Sequence, residues 1–199
     1  STYNLLKGHN LQLKGEPSVS INDSKKGIFR AIHPIHYKGM KPKLLIKEGD
    51  NVQIGQSLFY DKTKESVKVV SPVCGKIEEI VFGKRRVVEK ILIKKEGDFS
   101  ISSNPYNPDT DSSKFKDFLI DSGLWSYIRQ RPFSKVPDPN IKPRAIFLTM
   151  YQTAPFSLEL EHILSGYKKE LALGIRLLST LTEGNVFLTL KKGSTFFKD

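Results

Sequence analysis

Cysteine is nearly absent from this sequence, and its scarcity removes several classes of function. Cys74 is the only cysteine among 199 residues, so no disulfide can form within the chain. A thiolate zinc site or an iron–sulfur cluster needs several cysteines. This chain alone can therefore supply neither, and its composition is typical of a reducing compartment.

Long apolar runs are also missing. The longest stretch, residues 145–151, is far too short to cross a bilayer, and residues 1–14 mix polar side chains with the leucines, unlike a signal peptide. We therefore expect any membrane contact to occur through partner subunits or surface charge. The chain starts at Ser1 rather than Met and ends within residues 193–199 without a visible stop signal, so we expect a segment of a longer protein.

Acidic residues are too few to balance the basic ones, and the net charge is +11. No run of basic residues reaches the five or six that mark a nucleic-acid-binding tail or arm. The dispersed charge favours a solvated basic surface that faces acidic partners or an anionic membrane leaflet, and we expect no nucleic acid. A basic nucleic-acid-binding module remains an alternative.

The sequence predicts an α+β chain in three parts. Residues 1–100 form a β-rich domain, because short β-branched runs alternate with glycine-containing turns. Residues 101–143 form a helical and proline-rich connector, with a helix over 113–122 that Asp111 or Ser112 caps. The β-strands of the first part are predicted over residues 43–47, 57–60, 67–71, 76–81 and 87–95.

Residues 144–199 read as a strand, a helix and a second strand. The continuous apolar run over 145–150 predicts a strand buried on both faces. A helical pattern over 168–181 and an apolar strand over 186–190 complete a βαβ unit, which opens a truncated Rossmann-like domain. A bare parallel edge at 186–190 favours aggregation, so we expect dimer contacts or a further segment of the protein to cover it.

The turn residues of the first part resemble those of biotinyl and lipoyl carrier domains, which have a barrel-sandwich fold. Gly49 and Gly55 suit turns, Asp50 can accept turn amide hydrogen bonds, and Pro72 stops a strand. Carriers of this fold bear a modified lysine about eight residues before the equivalent proline, where this chain has Lys64. Its neighbours, Asp61-Lys62-Thr63-Lys64-Glu65, differ from the sequences that carrier ligases recognise. A lysine-modified carrier is thus an alternative function rather than the favoured one.

A second stretch is more specific. Residues 123–137 read GLWSYIRQRPFSKVP and continue through Pro143-Arg144-Ala145-Ile146-Phe147. Together with the segments at residues 7–15, 39–43 and 83–86, they resemble the NqrA family, whose members are subunits of the bacterial sodium-translocating NADH:quinone reductase. The resemblance is collinear over nearly the whole chain.

The resemblance implies a peripheral subunit on the cytoplasmic side of the bacterial inner membrane. The whole complex would oxidise NADH, reduce ubiquinone and export Na⁺. A different subunit would bind NADH, flavins and iron–sulfur centres, while integral membrane subunits would form the ion path. This chain would dock and stabilise those partners, with a possible influence on ubiquinone. We expect no catalytic residue, no metal site and no cofactor bound by this chain.

The family is related to the NADH- and FMN-binding subunit of respiratory complex I, which raises the question of a nucleotide site. Such a site needs a glycine-rich turn between the first strand and its helix. This chain has Tyr151-Gln152-Thr153-Ala154-Pro155-Phe156 at that point, and no glycine occurs between Gly123 and Gly166. The residue types therefore argue against phosphate binding there.

Two basic segments are the candidate interface with partner subunits. The one around Arg129 is most simply a linker that holds one domain to the other, and it could also meet a partner subunit, since Arg forms bidentate interface pairs. The candidate residues are Lys84, Arg85, Arg86, Arg129, Arg131 and Phe133. His33 and His36 form a weaker candidate, because Pro34 opposes a helix that would present both rings on one face and no third metal ligand is evident. Cys74 is interpreted as a small part-buried residue rather than a nucleophile.

Overall fold

The structure is a computed structural model that describes residues 13–15, 18, 27–99, 106, 114–152 and 154–197. Two compact units are present. One comprises Ser24–Pro143, and the other comprises Ser1–Asp23 with Arg144–Asp199. The helical and proline-rich connector therefore belongs to the same compact unit as the β-rich segment that precedes it.

Seven strands form two antiparallel sheets in the described part of the first unit. They are β1 (Phe29–Ile32), β2 (Pro42–Leu44), β3 (Asn51–Val52), β4 (Ser57–Asp61), β5 (Lys64–Val70), β6 (Gly75–Phe82) and β7 (Val88–Lys95). One sheet has the order β1-β7-β6-β3 and the other has the order β2-β4-β5. A β-rich, sandwich-like first domain is thus confirmed.

The alternating apolar positions of these strands form the core of the unit. Ile91 and Ile93 of β7 and Val67 of β5 are 0% exposed, and Val69 is 1% exposed. Val67 and Val69, like Ile91 and Ile93, are two residues apart and are buried on one face, because successive side chains point to opposite faces of a sheet. Burial of these branched side chains provides the main favourable free energy for folding of this unit.

Carboxylates fix the turns between the strands. Asp50 Oδ2 accepts a hydrogen bond from the Lys47 amide at 2.9 Å, as predicted for this turn. Glu48 Oε1 accepts from the Ile80 amide at 2.7 Å, which joins the same turn to β6.

The predicted strand over 43–47 is wrong beyond Leu44, where β2 ends. Leu45 is 52% exposed while Ile46 is buried, and the chain leaves the sheet to enter the turn at Glu48. Strands β1 and β3 were not predicted, because neither contains a continuous apolar run or a sustained alternation.

The connector begins with α1 (Phe115–Asp121), which lies within the predicted helix and buries Phe115 and Leu119. The predicted caps, Asp111 and Ser112, lie outside the described residues. Gly123 ends the helix with φ +75°, and a Cβ there would lie 2.8 Å from Val70 Cγ1. The lack of a side chain at Gly123 therefore lets the connector pack closely on β5.

The second unit contains β8 (Ile146–Thr149), α2 (Leu160–Ile163), α3 (Lys168–Ser179) and β9 (Val186–Thr189). Strands β8 and β9 pair in parallel, which confirms the predicted βαβ unit. The predicted burial of the first strand on both faces is wrong for the described residues. Phe147 is 66% exposed and stacks on Phe187 with ring centroids 5.1 Å apart. The expected cover of the β9 edge stays a prediction.

Among the helices that the structure describes, none has the length and apolar character needed to cross a membrane.

Substitution of Ile91 by alanine tests the core of the first unit. We expect the free energy of unfolding to fall by about 2–5 kcal/mol, because a fully buried side chain leaves a cavity. Trp125 is the only tryptophan of the chain and is 5% exposed in the same unit, so its fluorescence in urea reports the transition. Val87→Ala is the control, since Val87 is 58% exposed and should change the value by less than about 0.5 kcal/mol. Equal small effects of both substitutions would show that Ile91 is not a core residue.

Candidate functional site

Four of the residues that follow α1 form the tip of a short closed loop at the surface of the first unit. The Gln130 amide donates to the Lys135 carbonyl at 2.7 Å, and this pair closes a loop with Arg131, Pro132, Phe133 and Ser134 at its tip. Phe133 is 66% exposed, and the Lys135 ammonium lies 5.6 Å from its ring centroid. We call residues 130–135 the RPF loop.

Arg129 holds the base of the RPF loop. Its Nη1 donates to the Ser126 carbonyl at 2.6 Å and to the Ile128 carbonyl at 3.1 Å, and its Nη2 donates to the His36 carbonyl at 3.0 Å. A planar guanidinium with several fixed donors suits this arrangement better than a lysine. The side chain of Arg129 therefore fixes the connector to the turn at His36, while Arg131 is exposed and has no hydrogen-bond or ion-pair partner among the described residues.

Aromatic side chains anchor the inner side of the same segment. Trp125 Nε1 donates to the Pro137 carbonyl at 3.1 Å. Tyr37 is buried and packs edge-on against Phe59 at 5.8 Å and Tyr127 at 6.0 Å. Burial, reinforced by a hydrogen bond with Tyr127, raises the pKa of Tyr37 well above its usual range, although Arg129 acts in the opposite direction. The phenol thus stays neutral and the ring stays in the core.

The other predicted basic segment forms the tip of the β6–β7 hairpin. Lys84, Arg85 and Arg86 make one 3₁₀ turn and are all exposed. Arg85 and Arg86 have φ of 56° and 58°, a left-handed conformation that costs about 1–2 kcal/mol for a residue with a Cβ. The tip therefore keeps two arginines where glycine would fit with less strain.

The turn at residues 33–36 links the hairpin to the RPF loop. His33 Nδ1 donates to the Glu89 carbonyl of β7 at 3.0 Å, and the His36 carbonyl accepts from Arg129. The two imidazole rings lie 5.4 Å apart. The short 3₁₀ turn over Pro34–His36 brings together rings that are three residues apart.

No group of three or more His, Cys, Asp or Glu side chains in the described part of the chain could hold a metal ion. Cys74 is buried and lines a cavity of 360 Å³ together with the side chains of Gln53, Gln56 and Phe99. The described lining residues include the carboxylate Glu96 but no Lys, Arg or His that would stabilise a thiolate, so this thiol has the surroundings of a structural cysteine.

Lys64 does not have the setting of a carrier lysine. It is the first residue of β5, directly after the two-residue turn at Lys62 and Thr63, and it is only half-exposed. Its ammonium donates to the Val136 carbonyl of the connector at 3.3 Å. This contact joins β5 to the connector, unlike the free hairpin-tip lysine of a carrier domain.

Comparison with known proteins agrees with this architecture. Residues 3–96 match the model of the NqrA N-terminal barrel-sandwich hybrid domain, and residues 110–198 match that of the NqrA second alpha/beta domain. The chain belongs to the NqrA family. Its barrel-sandwich domain contains the β6–β7 tip, whereas the RPF loop falls within the span of the second NqrA domain, although it packs with the first compact unit.

Three relatives are the A subunits of the Na(+)-translocating NADH-quinone reductases of Marinomonas sp. (strain MWYL1), Vibrio atlanticus (strain LGP32) and Yersinia pseudotuberculosis serotype O:1b. Their identities to this chain are 38% over 196 residues, 38% over 193 and 36% over 184, covering 96%, 95% and 90% of the chain. The chain spans 44%, 43% and 41% of these relatives, which is less than half of their length.

Sequence reasoning missed several exposed apolar residues beside the predicted basic ones. Tyr127 is 63% exposed and Ile35 is 80% exposed in the segments that Arg129 joins, and Phe82 and Val87 flank the hairpin tip at 54% and 58%. Tyr127 stands within the NqrA-like segment at residues 123–137, so its position was available in the sequence. The exposure of Phe82 and Val87 follows from the register of the hairpin, which the strand prediction did not give.

Substitution of Arg129 by glutamine tests the anchor of the RPF loop. We expect the free energy of unfolding of the first unit to fall by about 1 kcal/mol or more, because three carbonyls lose a charged donor. Urea unfolding followed by Trp125 fluorescence measures it. Arg131→Gln removes the same charge two residues away and should change stability by less than about 0.5 kcal/mol. The assigned anchor would be wrong if Arg131→Gln were the more destabilising substitution.

The geometry of Lys64 predicts that its amine is unmodified in cells. Mass spectrometry of the peptide that contains Lys64, from protein purified from its native host, should give the unmodified mass. The neighbouring peptide with Lys41 and Lys43 is an internal reference, since carrier ligases do not act there. A biotinyl or lipoyl mass on the Lys64 peptide would contradict this prediction and restore the carrier alternative.

Proposed function

We propose that this chain is a docking subunit of a sodium-pumping NADH:ubiquinone reductase complex. It lies on the cytoplasmic side of the bacterial inner membrane and contributes to ubiquinone reduction and Na⁺ export mainly by holding partner subunits in place. Membership of the NqrA family and the names of the relatives support this proposal. The whole complex, rather than this chain, carries the oxidoreductase activity.

The observation that carries the docking role is the RPF loop. It presents an exposed Phe133 and an exposed Arg131 on a base that Arg129 and Trp125 hold rigid. Arg and aromatic residues are enriched in protein interfaces and provide much of their binding energy. A preorganised loop also loses less conformational entropy on binding than a mobile one.

Residue types argue that electron transfer takes place in other subunits. One cysteine cannot ligate an iron–sulfur cluster, and the loop after β8 lacks the glycines that let backbone amides surround a phosphate. NADH, flavins and iron–sulfur centres would therefore be bound by partners. We assign no catalytic residue, no metal and no bound cofactor to this chain.

Complementation of a deletion strain tests the docking role. The double variant Arg131→Glu/Phe133→Ala should co-purify with the membrane subunits at least tenfold less than the unchanged chain, because the loss of two hot-spot side chains weakens an interface by roughly 2 kcal/mol or more. Sodium-dependent NADH:ubiquinone reductase activity of the membranes should fall in proportion to the loss of assembly.

The matched control is Lys116→Glu/Phe99→Ala, which alters an exposed cation and a phenylalanine that is 71% exposed elsewhere in the same unit. It should assemble normally. A complex that contains the Arg131/Phe133 variant in full amount but transfers no electrons would overturn the docking role in favour of a catalytic one. Tight stoichiometric binding of NADH or FMN by the purified chain would overturn the assignment of cofactors to partners.

A further inference from the structure

We propose that the tip of the β6–β7 hairpin, residues 82–87, binds the anionic phospholipid headgroups of a membrane surface. This inference rests on the proposed function for its biological setting, since only a protein held at a membrane would use such a contact. The contact itself is argued from the tip alone. It assigns to these residues a partner of a different class from the protein partners of the RPF loop.

The first step is the composition of the tip. Lys84, Arg85 and Arg86 are consecutive and exposed, and the apolar residues on either side of the turn, Phe82 and Val87, are 54% and 58% exposed. Three cations with an apolar side chain at each flank match the two layers of a bilayer surface, with anionic headgroups outside and acyl chains beneath.

The second step is that none of these three cations forms an ion pair with another described residue. Ion pairs in the described part of the chain include those of Lys90, Lys94, Lys95 and Lys191, and none involves the tip. The side chain of Glu89 packs over Gly83, at the base of the turn, and is the carboxylate nearest to the tip along β7. Three cations beside one carboxylate leave the tip with a net positive charge that attracts anions.

The third step is the backbone conformation. Arg85 and Arg86 both have positive φ, and the Gly83 amide donates to the Val87 carbonyl at 2.8 Å, so the turn is closed and compact. Glycine adopts this conformation without the clash that a Cβ suffers. Two consecutive arginines with positive φ are backbone outliers, and such outliers cluster at functional sites.

The fourth step compares the tip with other classes of partner. A stable protein interface buries about 800 Å² on each side and about 20–30 residues. The RPF loop can contribute to such an interface together with the exposed Tyr127 and Ile35 of the segments that Arg129 joins, whereas the exposed apolar residues of the tip are Phe82 and Val87. Single-stranded nucleic acid would need a platform of several aromatic residues, and the tip has only Phe82. A lipid surface requires neither shape complementarity nor a large area, because each basic residue near it adds roughly fivefold to binding.

The experiment is sedimentation of the purified full chain with vesicles. Vesicles of phosphatidylcholine mixed with phosphatidylglycerol should bind the chain, vesicles of phosphatidylcholine alone should bind it much less, and binding should weaken as salt is raised. Equal binding to both kinds of vesicle would overturn the proposal.

The decisive variant is Arg85→Gly/Arg86→Gly. It removes two charges, so binding to the anionic vesicles should weaken about twenty-fivefold. Glycine also relieves the strained backbone, so the melting temperature should stay the same or rise and unfolding cannot account for the loss. Phe82→Ser should weaken binding several-fold at unchanged charge.

The matched control, Lys169→Gln/Lys192→Gln, removes two exposed charges elsewhere in the chain. It should weaken binding far less than the glycine variant, and an equal loss would show that the net charge of +11, not the tip, causes binding. The Arg131→Glu/Phe133→Ala variant leaves the tip unchanged. Its binding to the anionic vesicles should therefore fall only by the effect of its lower net charge. Since vesicles contain no partner protein, failure here leaves the docking role untouched, and failure of co-purification leaves the lipid contact untouched.

Discussion

A segment rich in proline has too few amide donors to satisfy its own backbone, and the first unit is organised around that constraint. Four prolines interrupt residues 132–143, so regular secondary structure cannot form there. Side chains provide the missing donors instead. Trp125 donates to Pro137, and Lys64 donates to Val136. The Trp125 bond joins two parts of the connector, and the Lys64 bond joins the connector to β5. The same bonds therefore satisfy backbone carbonyls and attach the segment.

Arg129 extends this logic to the neighbouring turn. Its guanidinium bonds to carbonyls on both sides of the junction, at Ser126 and at His36. A residue that the sequence suggested for contact with a partner is thus occupied within the chain, whereas Arg131, two residues on, is exposed. Arg129 fixes the RPF loop, and Arg131 is exposed at its tip.

The sequence predicted the longer strands of the first unit. β4 to β7 lie close to the predicted ranges because each is a stretch of five to eight residues, rich in apolar and β-branched side chains, between recognisable turns. The βαβ unit was equally readable. The short strands β1 and β3 have no period to detect, and their places depend on pairing with β7 and β6 across long stretches of sequence.

Burial was harder to predict than secondary structure. The apolar run over 145–150 predicted a strand covered on both faces, yet Phe147 is exposed in this structure. An apolar sequence indicates which side chains of a strand can be buried, but the packing of neighbouring elements determines which of them are buried. The roles of Lys64 and Arg129 failed to appear in the sequence for the same reason. Their acceptors, Val136 and His36, lie 72 and 93 residues away.

The two exposed segments, the RPF loop and the β6–β7 tip, differ in chemistry. The RPF loop has a rigid base, one aromatic ring and one free guanidinium, which suits a partner with a defined shape. The β6–β7 tip concentrates three cations on a strained turn with an apolar residue at each flank, which suits a surface without a defined shape.

The His33–His36 turn is hydrogen-bonded both to β7, behind the tip, and to Arg129, which anchors the RPF loop. Because this turn is short and hydrogen-bonded at both ends, it fixes the two segments within one compact unit. A protein that must meet a protein partner and a lipid surface together would require that fixed relation, since a flexible link would let either contact form without positioning the other.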